Sequence, residues 1–187
     1  MRCSTLEPVG LTMLSGSALP RLRMRRLQSK VKDQVRHLAR EYEAVRAAME
    51  SGRTRTQRME AITNRMKSLS SVAYPLVGEL ATSASPGDRL AAIAMLEMIP
   101  SQEYIEWLAS RFGAERPFIE YHSAVALLSA VRELPREFHP RLRLAIVEAM
   151  RRLGDYRSGD RVWILKNALA ELDELEDRSD SDSDTPG

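Results

Sequence analysis

The sequence predicts an all-α protein: helical hairpins stacked side by side, preceded by a long amphipathic helix. Three observations carry that reading. The 187 residues are 43% hydrophobic but only 5% aromatic, and Leu, Ala, Met and Arg, all good helix formers, dominate. No clean alternation of β-branched and polar residues marks a strand. Apolar residues instead recur at helical spacing between short turns marked by Pro or Gly. The centre of the pattern is a pair of Ala-rich stretches. Ala92-Ile93-Ala94-Met95-Leu96 aligns with Ala124-Val125-Ala126-Leu127-Leu128. Both are too apolar for surface helices and are expected to be buried spines, with Ala94 and Ala126 at helix contacts.

Taken in order, residues 1–20 read as an unstructured leader, with Met1, Met13 and Met24 all open as the start. Pro20 suits a first helical turn, and a helix is expected from there to about Ser51. Its Val31, Val35, Leu38, Tyr42, Val45 and Met49 follow heptad spacing, which demands a partner surface. That partner is either the body of the protein or a second copy. Gly52 stops the helix, and Thr54 with Gln57 reads as a capping box for the next one. That helix buries Met59, Ile62, Met66 and Leu69. A short helix through Pro75 carries Val72, Leu76, Val77 and Leu80.

Ser85 or Asp88 caps the first spine helix, which ends before Pro100. Ser101 caps a helix whose inner face is Tyr104, Trp107, Leu108 and Phe112, ended by Gly113. Pro117 opens the second spine helix, ending at Leu134. His139-Pro140 opens the next, with Leu142, Leu144, Ile146, Val147, Met150 and Leu153 turned inward and Gly154 at its end. Ser158-Gly159-Asp160-Arg161 echoes the start of the first spine helix. The helix beyond it buries Val162, Ile164, Leu165, Leu169 and Leu172, with Trp163 also expected in the core. The Ser-Asp sequence from Arg178 cannot bury a core and is expected to be unstructured.

The net charge of +2 conceals a segregation of sign. Arg21, Arg23, Arg25, Arg26, Lys30, Lys32, Arg36 and Arg40 face only Asp33, whereas acids from Glu171 to Asp184 face only Arg178. The organisation expected is a leader (1–20), a long basic helix (21–52), a helical repeat domain (53–175) and an acidic tail (176–187). The tail is expected to sample positions near the basic arm and compete with anionic partners. A single cysteine, Cys3, excludes an internal disulfide framework and favours a reducing cytoplasm. No apolar run approaches the ~18–20 residues of a membrane span.

The recurrence of helix pairs every roughly 32–37 residues, with Ala-rich centres between Ser83 and Leu175, resembles HEAT-like α-solenoid repeats. That likeness implies a binding scaffold. The segment Glu41–Glu60 (Glu41-Tyr42-Glu43-Ala44-Val45-Arg46 through Arg58-Met59-Glu60) resembles helical regions of bacterial multidomain signalling or defence proteins. There it sits between an effector domain and a sensor, and this chain carries no such effector domain.

Candidate chemistry is sparse. His37, His122 and His139 form no ligand-spaced pair, so neither a metal nor a cofactor is expected. His122 reads as a hydrogen-bonded histidine at a helix start rather than a catalytic base. Glu115 and Glu120, near Pro117, and Asp88 and Asp160, at equivalent helix starts, read as caps. The candidate polyanion-binding residues are Arg21, Arg23, Arg25, Arg26, Lys30, Lys32, Arg36, Arg40, Arg55 and Arg58, spaced to neutralise phosphates.

Three functions follow as expectations. The favoured one is a non-enzymatic protein–protein interaction module, an adaptor or scaffold. The second is a nucleic-acid-binding protein using the basic helix. The third is an enzyme on a HEAT-like scaffold acting on DNA, for which Trp107, Trp163 and Asp160 are the raw material. A protein partner is expected, with nucleic acid and self-association through residues 21–52 as further possibilities.

Overall fold

A computed structural model describes residues 18–154 and 159–183, with side chains described for 28–154 and 159–178. It is all-helical, with no strand among the described residues. The long helix α1 is Ala18–Ala48, and α2 is Arg53–Lys67. Two short helices, α3 (Ser70–Ala73) and α4 (Val77–Ala81), flank a 3-10 turn through Pro75. The spine helices are α5 (Pro86–Met98) and α7 (Pro117–Glu133), with the short α6 (Ile105–Ala109) between them. Helices α8 (His139–Arg152) and α9 (Asp160–Ser183) complete the chain.

The Ala-rich pattern explains the centre. On α5, residues Leu90 to Leu96 are all sequestered; on α7, Ile119, Ala124, Ala126 and Leu127 are, so Ala94 and Ala126 both lie in the core. Helix α5 packs on α7, and α7 on α9. Helices α1 and α2 cover the other side of α5, α4 lies along it, and α6 and α8 close over α7 and α9. One continuous core results.

The heptad stripe of α1 is spent inside the molecule. Val35, Leu38 and Tyr42 are buried, and Val31 and Val45 partly so, against α2 and α5. The approach of α1 to α5 is close enough to require a glycine. A Cβ on Gly87 would lie 2.3 Å from the Ala39 carbonyl oxygen. The α5 N-terminus is capped twice: Ser85 Oγ accepts from Asp88 N at 3.1 Å, and Glu43 of α1 accepts from Gly87 N at 2.9 Å.

Several expectations are corrected. The long helix begins at Ala18, inside the expected leader, and stops at Ala48. The α2 cap is Gly52 with no side-chain hydrogen bond, and Thr54 lies within the helix, so the capping box does not form. Leu144, Val147 and Trp163 are exposed rather than buried. Each sits on the outer side of a helix whose opposite face already fills the core. Helix α9 continues past Arg178 to Ser183, where an unstructured tail was expected. Three of its acids are drawn onto the helical body, Glu171 by Arg132 and both Asp173 and Glu176 by Arg143, while Glu174 pairs with Arg178 within α9 itself. None of these ion pairs reaches the basic arm. The leader before residue 18, with Cys3, Met1 and Met13, lies outside the described residues, as do Ser158 and residues 184–187. The side chains of Arg21, Arg23, Met24, Arg25 and Arg26 also lie outside them.

Candidate functional site

A cleft of 670 Å³ opens where the starts of three helices meet the end of α1. Arg46 comes from α1; Ser51, Arg55, Thr56, Met59 and Glu60 from the start of α2. Arg116, Pro117, Phe118 and Tyr121 come from the start of α7; Gly159, Asp160 and Arg161 from the start of α9. A second hollow of 430 Å³ shares Arg46 and Arg116 and adds Tyr42, Glu43, Ala47 and Pro86. Helical spacing explains the set. Tyr42 and Arg46 lie one turn apart on α1, as do Arg55 and Met59 on α2, so each pair points the same way.

The electrostatics are unusual for helix starts. The N-terminal end of a helix carries positive partial charge and favours acids. Yet Arg116 occupies the N-cap of α7 without any side-chain cap, and the first turn of α2 holds Arg53 and Arg55 with no acid. The larger hollow collects four arginines against two acids, Glu60 and Asp160. Arg161 is held by Glu120, which also accepts from Gly113 N at 2.8 Å. Arg55 donates to the Met49 carbonyl at 3.2 Å and to Ser51 Oγ at 2.8 Å. Arg46 and Arg116 have no carboxylate within ion-pair distance among the described residues.

Tyr42 is fully buried, and its hydroxyl has no hydrogen-bond partner. Burial pushes its pKa up, and Arg46 beside it offsets this only in part. The phenol therefore stays protonated at neutral pH and keeps a proton to donate.

Behind the cleft runs a buried chain of charge. His122 Nδ1 lies 2.7 Å from Glu97 Oε1, and Lys67 Nζ lies 2.6 Å from Glu97 Oε2. His122 Nε2 is 3.3 Å from Glu60 Oε2, within ion-pair range but out of line for a hydrogen bond. Burial alone would lower the His122 pKa, but the two carboxylates, Glu60 and Glu97, outweigh it and the net shift is upward. The same imidazole holds the Glu60 carboxyl below its usual range. Phe118 and Tyr121 pack edge-on against the ring at 4.7 and 5.2 Å. Glu60 links this chain to the cleft.

A third network joins α5 to the turn before α7. Arg89 grips Glu115 and donates to the Ser83 carbonyl at 2.8 Å. Arg111 also reaches Glu115, at 3.4 Å, and lies over the Trp107 ring. Glu115 and Glu120 are thus clamps between segments rather than caps.

Of the predicted polyanion-binding residues whose side chains are described, only Arg55 lines the cleft. Lys32 and Arg36 are engaged by Glu79, at 2.7 and 2.5 Å. Lys30, Arg40 and Arg58 are exposed elsewhere. Arg21, Arg23, Arg25 and Arg26 lie on the first part of α1. Of the residues considered for a DNA-acting enzyme, Asp160 lines the cleft, Trp107 packs against Tyr104 on α6, and Trp163 projects into solvent. Sequence reasoning missed Tyr42, Arg46, Glu60, Lys67, Glu97 and Arg116 as a group. The one available signal was the placement of arginine, not serine or aspartate, at the starts of α2 and α7. No group of three or more His, Cys, Asp or Glu side chains is placed to hold a metal among the described residues. No helix there is long and apolar enough to cross a membrane.

No family model, no curated protein and no solved structure matches the chain.

Proposed function

We propose that the chain is a non-catalytic helical interaction module, an adaptor or scaffold of the cytoplasm that binds a protein partner through the outer face of α8. The observation that carries this reading is the exposure of Leu144 (72%) and Val147 (52%), one turn apart on that helix. Leu144 also edges a hollow of 340 Å³ between α6 and α8. Around it stand Arg141 paired with Glu106, and Arg151 and Arg152 paired with Glu148. An apolar centre with a polar rim is the usual anatomy of a protein interface. The packing order of α5, α7 and α9, with α4, α6 and α8 alongside, supports a short HEAT-like stack as the scaffold. Self-association through the α1 stripe is the weaker reading, because that stripe is buried against α2 and α5. Nucleic-acid binding by the basic helix is also weaker, since Glu79 already neutralises part of it.

The test is a crosslinking and pull-down comparison from the native cell, using the intact chain and a Leu144→Asp/Val147→Asp variant. The variant is expected to keep its thermal midpoint, because both side chains lie outside the core, and to lose the specific partner by at least roughly tenfold. An unchanged partner set with the variant would refute binding through α8.

A further inference from the structure

We propose that the cleft between the starts of α2, α7 and α9 binds a phosphorylated small molecule, of the nucleotide class. This site is separate from the α8 face. Four features converge on it. First, the hollow is lined by Arg46, Arg55, Arg116 and Arg161 against Glu60 and Asp160, with Arg161 also held by Glu120. Second, Arg46 and Arg116 border both hollows without a carboxylate partner among the described residues, so their charge is available to an anion. Third, Tyr42 lines the adjoining hollow, and its buried hydroxyl has no hydrogen-bond partner. A buried hydroxyl without a partner is costly, and a bound phosphate oxygen would satisfy it. Fourth, arginines stand at the starts of α2 and α7, where the helix dipole opposes a cation. An anion held there would offset both the dipole and the guanidinium repulsion.

The size of the hollow selects among anions. A volume of 670 Å³ falls within the usual range for small-molecule and cofactor sites, roughly 300–1,000 Å³, and is more than inorganic phosphate needs. Met59, Phe118 and Tyr121 supply an apolar wall against which a planar base can rest. A phosphate chain would lie towards Arg46, Arg116 and Tyr42, and the base towards Met59 and Tyr121. The His122 chain behind Glu60 fixes that acid in place, so Glu60 is a positioning residue for the floor of the site.

Binding is measured by calorimetry on the full chain at near-physiological salt, with ATP, GTP, tripolyphosphate and adenosine as probes. At least one nucleotide is expected to bind with Kd below about 1 mM. Tripolyphosphate is expected to compete with it, and adenosine alone is not expected to bind measurably. Arg46→Ala/Arg116→Ala is expected to weaken binding at least tenfold. Tyr42→Phe, which removes only the hydroxyl, is expected to weaken it several-fold while the circular dichroism spectrum stays the same. Lys166→Ala, exposed and outside the cleft, is the control and is expected to bind as the wild type does. The proposal is overturned if no nucleotide binds at ~1 mM, if the double variant binds unchanged, or if Lys166→Ala weakens binding as much as the double variant. The Leu144→Asp/Val147→Asp variant should retain nucleotide binding, so the two readings stand or fall separately.

Discussion

At the scale of single residues, burial and pairing decide what each polar side chain does. His122 illustrates this. Its position after Tyr121 at a helix start was legible as a hydrogen-bonded histidine, but its partners were not. Glu60 lies on α2 and Glu97 on α5, and no local spacing brings them to α7. The same holds for Arg89 with Glu115 and Arg161 with Glu120, each joined across long stretches of chain. Trp163 and Val147 were misplaced for a related reason: a helix with an apolar residue on every side does not reveal which one faces out. The His122 cluster has a pH signature. Its pKa is raised on folding, above an unfolded value of about 6.5. The stability it contributes is therefore fully present below about pH 6.5 and lost as pH rises through the folded value. Glu97 and Glu60 face the imidazole directly, and Lys67 pairs with Glu97 on its far side. Urea unfolding of the wild type and His122→Gln between about pH 6 and 8 checks this. The wild-type advantage is expected to be largest near pH 6 and to shrink upward; an advantage that grows with pH would refute the charged pair.

At the scale of elements, boundaries were legible wherever Pro, Gly or a capping Ser set them. Pro86, Pro117 and Pro140 open α5, α7 and α8, and Gly113 and Gly154 take the left-handed conformation at their turns. Ser85 and Ser101 cap as their positions implied. The capping box at Thr54 failed because the chain already turns at Ser51-Gly52, and the helix starts before Thr54 can serve. The end of α9 was misjudged because Ser-Asp composition was weighed without the helix feeding into it. What the pattern could not disclose is how closely two helices approach. Gly87 read only as part of a helix start, yet it is where α1 and α5 touch. Replacing Gly87 with alanine would drive a methyl against the Ala39 backbone, with contacts of 2.3 and 2.8 Å to its oxygen and carbon. Backbone cannot swing away as a flexible side chain can, so α1 must shift. The expected cost is about 1–3 kcal/mol, measured from the denaturant midpoint. A midpoint equal to the wild type would mean that α1 rides loosely on α5.

At the scale of the whole molecule, the order of packing runs from α1 and α2 through α5 and α7 to α9. The all-helical class was evident from composition and periodicity. Packing of the long N-terminal helix on the body was one of the two readings that its heptad stripe offered, a second copy being the other. It depended on Tyr42, Val35 and Leu38 finding α2 and α5 instead of a second copy. If neighbours alone stabilise one another, damage at one end should not reach the other. Leu165 is fully buried on α9, and α9 rests on α7 and α8. Leu165→Ala is expected to cost about 2–5 kcal/mol locally, from lost burial and the cavity left behind. Hydrogen exchange under native conditions then separates two outcomes. In a nearest-neighbour stack, amides of α9 and α8 lose protection first, those of α7 less, and those of α1 and α2 keep nearly all of theirs. In a single all-or-none core, every helix loses protection by the same free energy. The linear order of contacts favours the graded response, so a uniform loss reaching α1 would overturn the stacked-repeat reading of this fold.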